Sequence, residues 1–162
     1  MTEKEYRTGI GHDTHRVTEG TAVRLGGISV PWTHGLLGHS DADVLLHAVT
    51  DALLGAAGLG DIGDMFPDTD PANKGRDSGE MLSLAWERVR KSQWRLVNLD
   101  AIIFAEAPKL GPYKTKIKER IAALLNVEAD RINIKAKTGE KIGIIGRGEA
   151  ISAEVIVLIV KD

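Results

Sequence analysis

The chain contains 162 residues, with 21 Lys and Arg, 23 Asp and Glu, five His and no Cys. This length predicts one domain over residues 1–162, and a formal net charge of −2 excludes a basic surface for holding nucleic acid. The sequence has no apolar run of about 20 residues and no signal peptide, and it has no Cys for disulfides or thiolate catalysis. It therefore predicts a cytoplasmic protein without a membrane span.

Hydrophobic periodicity and turn residues predict strands interleaved with three helices. In chain order these are a strand over 6–13, a hairpin over 22–30, a loop over 31–40, a helix from Ser40, an acidic loop over 58–77, a helix over 78–92, a strand over 95–107, a helix over 112–126, a strand over 131–138, a Gly-rich loop over 139–148 and a strand over 150–160. Ser40 and Asp43 match a capping box at the first helix. The last strand is almost continuously apolar, which predicts burial on both faces in a sheet centre or an oligomer interface. The pattern indicates an α/β or α+β sandwich, with helices covering a sheet of about four strands.

The five His lie at positions 12, 15, 34, 39 and 47, and eight of the twelve Asp lie between Asp41 and Asp77. Imidazole and carboxylate are the main ligands for a divalent metal in a chain without Cys. This clustering predicts a metal site in the first half of the chain.

Asp13 and His15 lie two residues apart in the first strand and therefore point to the same face. They can converge on one ion, whereas His12 points to the opposite face. The alternative is an ordinary surface Asp and His at the end of a strand.

In the first helix, Asp43, His47 and Asp51 have the spacing of one helix face. We expect His47 to bind metal while a nearby carboxylate orients its other ring nitrogen. The alternative is a solvated helix face. Asp13, His15 and His47 together would leave one tetrahedral position open, which is typical of a catalytic zinc site.

Two later segments could hold a phosphate-bearing ligand. Residues 135–149 combine Gly with Lys, Thr and Arg, which can bind phosphates, and Glu140 there could bind Mg²⁺ shared with phosphate oxygens. Residues 105–111 join a strand to a helix, a common ligand position in α/β sheets. A charged hairpin turn is the alternative for the first segment.

Taken together, these segments resemble the 2-C-methyl-D-erythritol 2,4-cyclodiphosphate synthase family over nearly the whole chain. The resemblance lies in G-x-G-x-D-x-H at 9–15, GLLGHSDADVLLHAVTDALLGAAGLGDIG at 35–63, FPDTDP at 66–71, K-G-x-D-S at 74–78, A-P-K at 107–109 and GRGE at 146–149. The order and spacing of H-S-D-x-D-x-x-x-H and F-P-D-T-D make the match specific.

The resemblance implies a two-layer α+β sandwich with helices on one face of a mixed sheet, assembled as a homotrimer with active sites between subunits. It implies zinc on Asp13, His15 and His47, a second Mg²⁺ or Mn²⁺ on Glu140, and transition-state stabilisation by His39 and Thr138. It implies release of CMP from 4-diphosphocytidyl-2-C-methyl-D-erythritol 2-phosphate as the cyclic diphosphate forms in the non-mevalonate route to isoprenoid precursors. No nucleic acid or membrane partner is expected.

The resemblance also implies a set of substrate contacts from five stretches of the chain. These are Ser40, Asp61, Ile62, Gly63, Phe66, Pro67, Asp68, Thr69, Asp70, Ala105, Glu106, Ala107, Pro108, Lys109, Leu110, Gly111, Lys137, Gly139, Ile144 and Arg147. The stretch 105–111 corresponds to the cytosine pocket, and Asp61 and its neighbours correspond to the methylerythritol site.

The chain departs from the family pattern at a few of these positions. Lys137 and Gly139 stand where many members have Thr, and Glu106 stands where Gln is common. Ile144 replaces an aromatic residue that lines a central trimer cavity in some members. Two other interpretations are a zinc-dependent phosphodiesterase on a nucleotide-linked substrate and a nucleotide-binding protein without catalysis.

Overall fold

The structure, a computed structural model, describes residues 3–162 and contains a mixed five-stranded sheet beside a small hairpin. The strands are β1 (Glu5–Glu19), β2 (Ala22–Leu25), β3 (Ile28–Pro31), β4 (His34–Leu36), β5 (Arg95–Phe104), β6 (Ile132–Lys137) and β7 (Ala150–Lys161). The sheet order is β4-β1-β7-β5-β6, and β2 pairs with β3 in the hairpin. β5 and β6 run parallel, while the other neighbours in the sheet are antiparallel.

The expectation of about four strands is wrong by one strand, because β4 forms inside the segment predicted as a loop over 31–40. His34 and Leu36 pair with Glu19 and Val17 at the far end of β1. A strand of three residues is too short to show the alternation on which the prediction relies. β1 is also longer than the predicted 6–13, since it continues to Glu19.

Helices cover one face of the sheet and build the core with it. They are α1 (Val44–Ala57), α2 (Ile62–Met65), α3 (Ser78–Lys91), α4 (Lys114–Leu125) and α5 (Gly143–Gly146), with single 3₁₀ turns at Pro71–Asn73, Gly111–Tyr113 and Ala129–Arg131. The three long helices are those predicted, whereas α2 and α5 lie in segments predicted as loops. Within residues 3–162, no helix is both long and apolar enough to cross a membrane.

The predicted capping box at Ser40 is wrong, because α1 begins at Val44, four residues later. Asp43 is the N-cap, and its side chain accepts the Leu46 N–H at 3.0 Å. The Ser40 hydroxyl accepts the Ala42 N–H at 3.3 Å and also lies against His47. The hydroxyl is therefore available to the site rather than to the helix end.

β1 crosses α1 at unusually close range because of two glycines. A Cβ added at Gly9 would lie 2.0 Å from the Ala52 carbonyl oxygen, and one at Gly11 would lie 1.8 Å from the Ala48 carbonyl oxygen. No other residue fits against helix backbone at such distances. The close contact brings the following residues of β1 next to the first half of α1.

The opposite face of the sheet is open at its centre in the single chain, within residues 3–162. β7 lies at the sheet centre as predicted, and its residues 151, 153, 155, 157 and 159 belong to the buried core. On the other face Ala150, Ser152 and Val160, toward the ends of the strand, are also buried. Ile156 in the middle is 55% exposed and faces its cross-strand partner Ile10, which is 71% exposed. In the single chain the middle of this strand is therefore buried on one face and not on both.

Candidate metal and substrate site

Asp13, His15 and His47 lie together where β1 passes α1. Each offers one ligand atom, and these atoms lie within 4.8 Å of one another. The Asp13 Oδ2 atom is 3.0 Å from His47 Nδ1 and 3.6 Å from His15 Nδ1. One carboxylate and two imidazoles suit zinc, and three protein ligands leave a coordination position for substrate or water.

The alternation of β1 explains which histidines reach this cluster. Residues 9, 11, 13 and 15 share the face that packs on α1. The two glycines allow β1 to approach the helix, and the two candidate ligands therefore lie next to His47. His12 points to the open face, where its Nδ1 lies 3.6 Å from Glu154. His34 is outside the cluster as well, with its ring against Trp32 at 4.9 Å.

His47 is the most enclosed member of the cluster, and its side chain is only 12% exposed. Burial lowers the pKa of His47, but the hydrogen bond and the charge of Asp13 raise it, as do the charges of Asp43 and Asp41. The pKa of the metal-free side chain lies above its ordinary value. The site thus favours a positive charge on this ring, which a metal ion can replace.

The expected carboxylate on one ring nitrogen of His47 is Asp13, which lies 3.0 Å from Nδ1. The other nitrogen has hydroxyl partners, since Nε2 lies 2.9 Å from Ser78 Oγ and 3.0 Å from Ser40 Oγ. The expected polar row of Asp43, His47 and Asp51 does not form. Asp43 is the helix cap and is turned away, and Asp51 accepts the Ile62 N–H at 2.7 Å, while burial raises the pKa of Asp51.

The three candidate ligands line a cavity of about 310 Å³. Its other lining residues come from the loop before α1, from α2 and the segment that follows it, and from α3: His39, Ser40, Ile62, Gly63, Phe66, Asp68, Asn73 and Met81. Six of these residues belong to the predicted site. Asn73 and Met81 were not predicted. Asn73 is a single amide between two motifs, and Met81 has the spacing of an ordinary core residue, so neither has a sequence signal of its own.

Several predicted contacts in the acidic loop have structural roles of their own. Asp61 caps α2 and accepts the Asp64 N–H at 2.9 Å, and Asp70 caps the following 3₁₀ turn by accepting the Ala72 N–H at 2.9 Å. Pro67 accepts a hydrogen bond from Asn73 Nδ2 at 2.9 Å through its carbonyl oxygen. Thr69 is exposed in the same loop, and none of these four predicted residues lines the cavity.

A second cleft of about 220 Å³ lies at the carboxyl ends of β5 and β6. Since these strands are parallel, the segments that follow them meet at one edge of the sheet, where the Ala105 N–H donates to the Lys137 carbonyl at 2.9 Å. The lining residues are Ala105, Glu106, Pro108, Lys109, Leu110, Gly111, Lys114, Ala136, Lys137 and Thr138. The Ala107–Pro108 bond is cis. Lys114 and Ala136 were not predicted.

The predicted phosphate loop continues from this second cleft. The Gly139 N–H donates to Glu106 Oε2 at 3.0 Å, and a Cβ at position 139 would lie 2.4 Å from the Gly146 nitrogen. Glu140 has a φ of 51°, and its carboxylate lies 3.3 Å from Thr138 Oγ1. In this chain a larger side chain at position 139 would therefore force the facing backbone at Gly146 to shift.

Other predicted residues of this region face solvent. Arg147 is paired with Glu149, with 2.6 Å between Nε and Oε1, and Ile144 is 49% exposed. Among residues 3–162, Asp13, His15 and His47 form the only close group of three His or carboxylate side chains, and Glu140 is not part of it. The two clefts share no lining residue.

Comparison with known proteins identifies the family of the chain. The family model for the YgbB family matches residues 6–160, so the chain belongs to the YgbB family of enzymes. A curated relative from Bordetella pertussis, 2-C-methyl-D-erythritol 2,4-cyclodiphosphate synthase, is 55% identical over 156 residues, which cover 96% of both chains.

Solved structures show the same fold. The bifunctional IspDF from Campylobacter jejuni is 42% identical with a TM-score of 0.95, and the alignment covers 99% of this chain but 43% of that longer chain. A 2C-methyl-D-erythritol-2,4-cyclodiphosphate synthase described as the bound form with CDP is 38% identical with a TM-score of 0.87, covering 94% of this chain and 99% of that one.

Proposed function

We propose that this chain converts 4-diphosphocytidyl-2-C-methyl-D-erythritol 2-phosphate to 2-C-methyl-D-erythritol 2,4-cyclodiphosphate and CMP, in isoprenoid precursor biosynthesis. The observation that carries the proposal is the cluster of Asp13, His15 and His47 on the wall of the first cleft, in a chain of the YgbB family. The relative with bound CDP supports a cytidine diphosphate-linked substrate.

In this proposal the cluster of Asp13, His15 and His47 holds zinc, and Glu140 holds a second Mg²⁺ or Mn²⁺. The metals supply Lewis-acid stabilisation of the charge that develops on the phosphate oxygens. The donor set supports zinc because it combines two imidazoles with one carboxylate and leaves a fourth position open. Glu140 offers an exposed carboxylate near the start of the Gly-rich loop, and this carboxylate would hold the second ion.

The reaction needs no nucleophile from the protein. The 2-phosphate of the substrate attacks the β-phosphorus, the new P–O bond closes the ring, and the bond to CMP breaks. The work of the protein is to fold a polyanion back on itself and to hold the reacting oxygens in line. In this proposal His39 and Thr138 stabilise the charge that develops in the transition state. Ser40 and residues 61–63 and 66–70 contact the methylerythritol and its phosphate. The diphosphate is contacted by Lys137, Gly139 and Arg147.

The cytosine occupies the second cleft in this proposal, between residues 105–111 and β6. Backbone groups exposed by the small residues and Pro108 read the base edge, and Glu106 links this cleft to the phosphate loop through Gly139. Because the two clefts share no residue, we propose a homotrimer in which one subunit supplies the metal cleft and a neighbour supplies the base cleft. The uncovered sheet face supports such an assembly.

The test is incubation of the purified protein with the diphosphocytidyl substrate, Zn²⁺ and Mg²⁺, with CMP and the phosphorus NMR spectrum followed in time. We expect one equivalent of CMP for each cyclic diphosphate. His47→Ala should abolish turnover and zinc binding, whereas His34→Ala, outside both clefts, should leave both unchanged. Incorporation of ¹⁸O from solvent water into the product phosphate would show hydrolysis by a phosphodiesterase. CMP binding without turnover would show a non-catalytic nucleotide-binding protein.

A further inference from the structure

Ser78 lies behind the metal cluster and is fully buried, at the first turn of α3. Its Oγ atom is 2.9 Å from His47 Nε2, on the side of the ring opposite Asp13. No part of the function proposed above uses this hydroxyl. Its position indicates a role in deciding which nitrogen of the His47 ring carries a proton.

The hydrogen bonds of Ser78 fix the direction of its hydroxyl proton. The Ser78 N–H donates to Asp41 Oδ2 at 3.0 Å, and the Ser78 hydroxyl donates to Asp41 Oδ1 through a short hydrogen bond. An ionised carboxylate only accepts hydrogen bonds, so the proton of the hydroxyl is directed to Asp41. The lone pairs of Oγ are then left to accept from His47, and Nε2 must carry the proton.

With Nε2–H held by Ser78, Nδ1 is the nitrogen of His47 that can exchange its proton for a metal ion, and it lies 3.0 Å from Asp13 Oδ2. His15 is arranged the opposite way: its Nδ1 lies 2.9 Å from the Thr14 carbonyl oxygen, which only accepts, and this leaves its Nε2 with the lone pair. With a metal ion bound between them, the two rings would therefore be in opposite tautomers.

We propose that Ser78, itself oriented by Asp41, is a positioning residue that holds His47 in the Nε2–H tautomer and presents Nδ1 to the metal. This inference rests on the proposed metal role of Asp13, His15 and His47. Ser40 Oγ is also 3.0 Å from Nε2, but among the described contacts it has no carboxylate that fixes its proton. Its hydroxyl lines the cleft and is free to turn toward substrate.

Zinc affinity tests the proposal independently of catalysis. Ser78→Ala should bind Zn²⁺ about 10- to 100-fold more weakly in a chelator competition, which is the usual effect of removing a hydrogen-bond partner of a metal-bound histidine. The matched control is Ser83→Ala, on the same helix, whose hydroxyl donates to the Gly79 carbonyl at 2.9 Å away from the site. Ser78→Thr keeps a hydroxyl and should restore most of the affinity.

The nitrogen that binds the metal is read by ¹⁵N-edited NMR of the His47 ring in the zinc-loaded protein, where zinc replaces the Nδ1 proton that Asp13 accepts in the metal-free protein. We expect the proton on Nε2 and zinc on Nδ1 in the native chain. Zinc on Nε2 in the native chain would overturn the proposal without any variant, even if Ser78→Ala does not fold. Unchanged zinc affinity in a folded Ser78→Ala would overturn it too. Absence of zinc binding by the native chain would instead refute the metal role of the cluster.

Discussion

At the scale of single residues, Asp43 shows how a carboxylate beside the candidate ligands makes its hydrogen bonds to the fold and not to the site. It is completely buried and accepts the N–H groups of Gly26, Gly27 and Leu46 at 2.9, 2.7 and 3.0 Å. These bonds attach the turn of the hairpin β2–β3 to the start of α1. Sequence spacing placed Asp43 on the face of His47, but as the N-cap, with φ of −73° and ψ of 89°, it departs from helical geometry and turns away.

Asp43→Asn should destabilise the protein by about 1–3 kcal/mol, because the amide has one acceptor oxygen for N–H groups that occupy both carboxylate oxygens. The remaining buried N–H then faces an NH₂ group. Chemical denaturation measures the loss as a lower midpoint with an unchanged slope. Asp130→Asn, at an exposed position, is the control and should have no effect. An unchanged midpoint in Asp43→Asn would show that these hydrogen bonds contribute nothing net.

At the scale of elements, the segment between α2 and α3 forms a wall of the first cleft, and Arg76 braces it. The guanidinium lies 5.0 Å from the centre of the Phe66 ring, donates to Asn73 Oδ1 at 3.0 Å and donates to Glu80 Oε1 at 2.9 Å. Asn73 in turn donates to the Pro67 carbonyl. One side chain thus connects the loop to the first turns of α3.

Arg76→Ala should loosen this wall without unfolding the protein. The lost cation–π contact and hydrogen bonds amount to about 1–2 kcal/mol, and hydrogen exchange of residues 64–75 should rise by about 5- to 30-fold. In the proposed synthase, KM should rise more than kcat falls, because the wall contacts substrate rather than the reacting atoms. Arg88→Ala, exposed on α3, is the control. Equal exchange rates in Arg76→Ala and Arg88→Ala would exclude a bracing role.

The elements also show what sequence patterns could predict and what they could not. The long helices α1, α3 and α4 carry clear periodicity, and the alternation of β1 places Asp13 and His15 on one face. The Ser78 hydroxyl behind His47 comes from another element, 31 residues away, and no local pattern connects the two. Asn73 and Lys114 line the clefts for the same reason, since only the tertiary fold brings them there.

At the scale of the whole molecule, the single chain leaves two features incomplete. An apolar strip with Ile10 opposite Ile156 stays exposed at the centre of the sheet, and the first and second clefts share no lining residue. In a single chain, one substrate molecule would have to reach from the first cleft to the second. Assembly through the open sheet face would cover the strip, and the proposed homotrimer brings the metal cleft of one subunit to the base cleft of the next.

Ile156→Lys should therefore break the assembly and leave the fold of the subunit intact. Burying an Ile contributes about 1.5–3 kcal/mol per copy, and a Lys there adds charge repulsion around the symmetry axis. Light scattering should show three times the 17.5 kDa chain mass for the native protein and a single chain mass for the variant. The variant should keep its zinc, since Asp13, His15 and His47 belong to one subunit, but lose cyclisation.

Leu84→Lys, at an exposed position on α3, is the matched control and should stay trimeric and active. An active Ile156→Lys monomer would show that one chain completes the site, and a native protein with the mass of a single chain would refute the trimer.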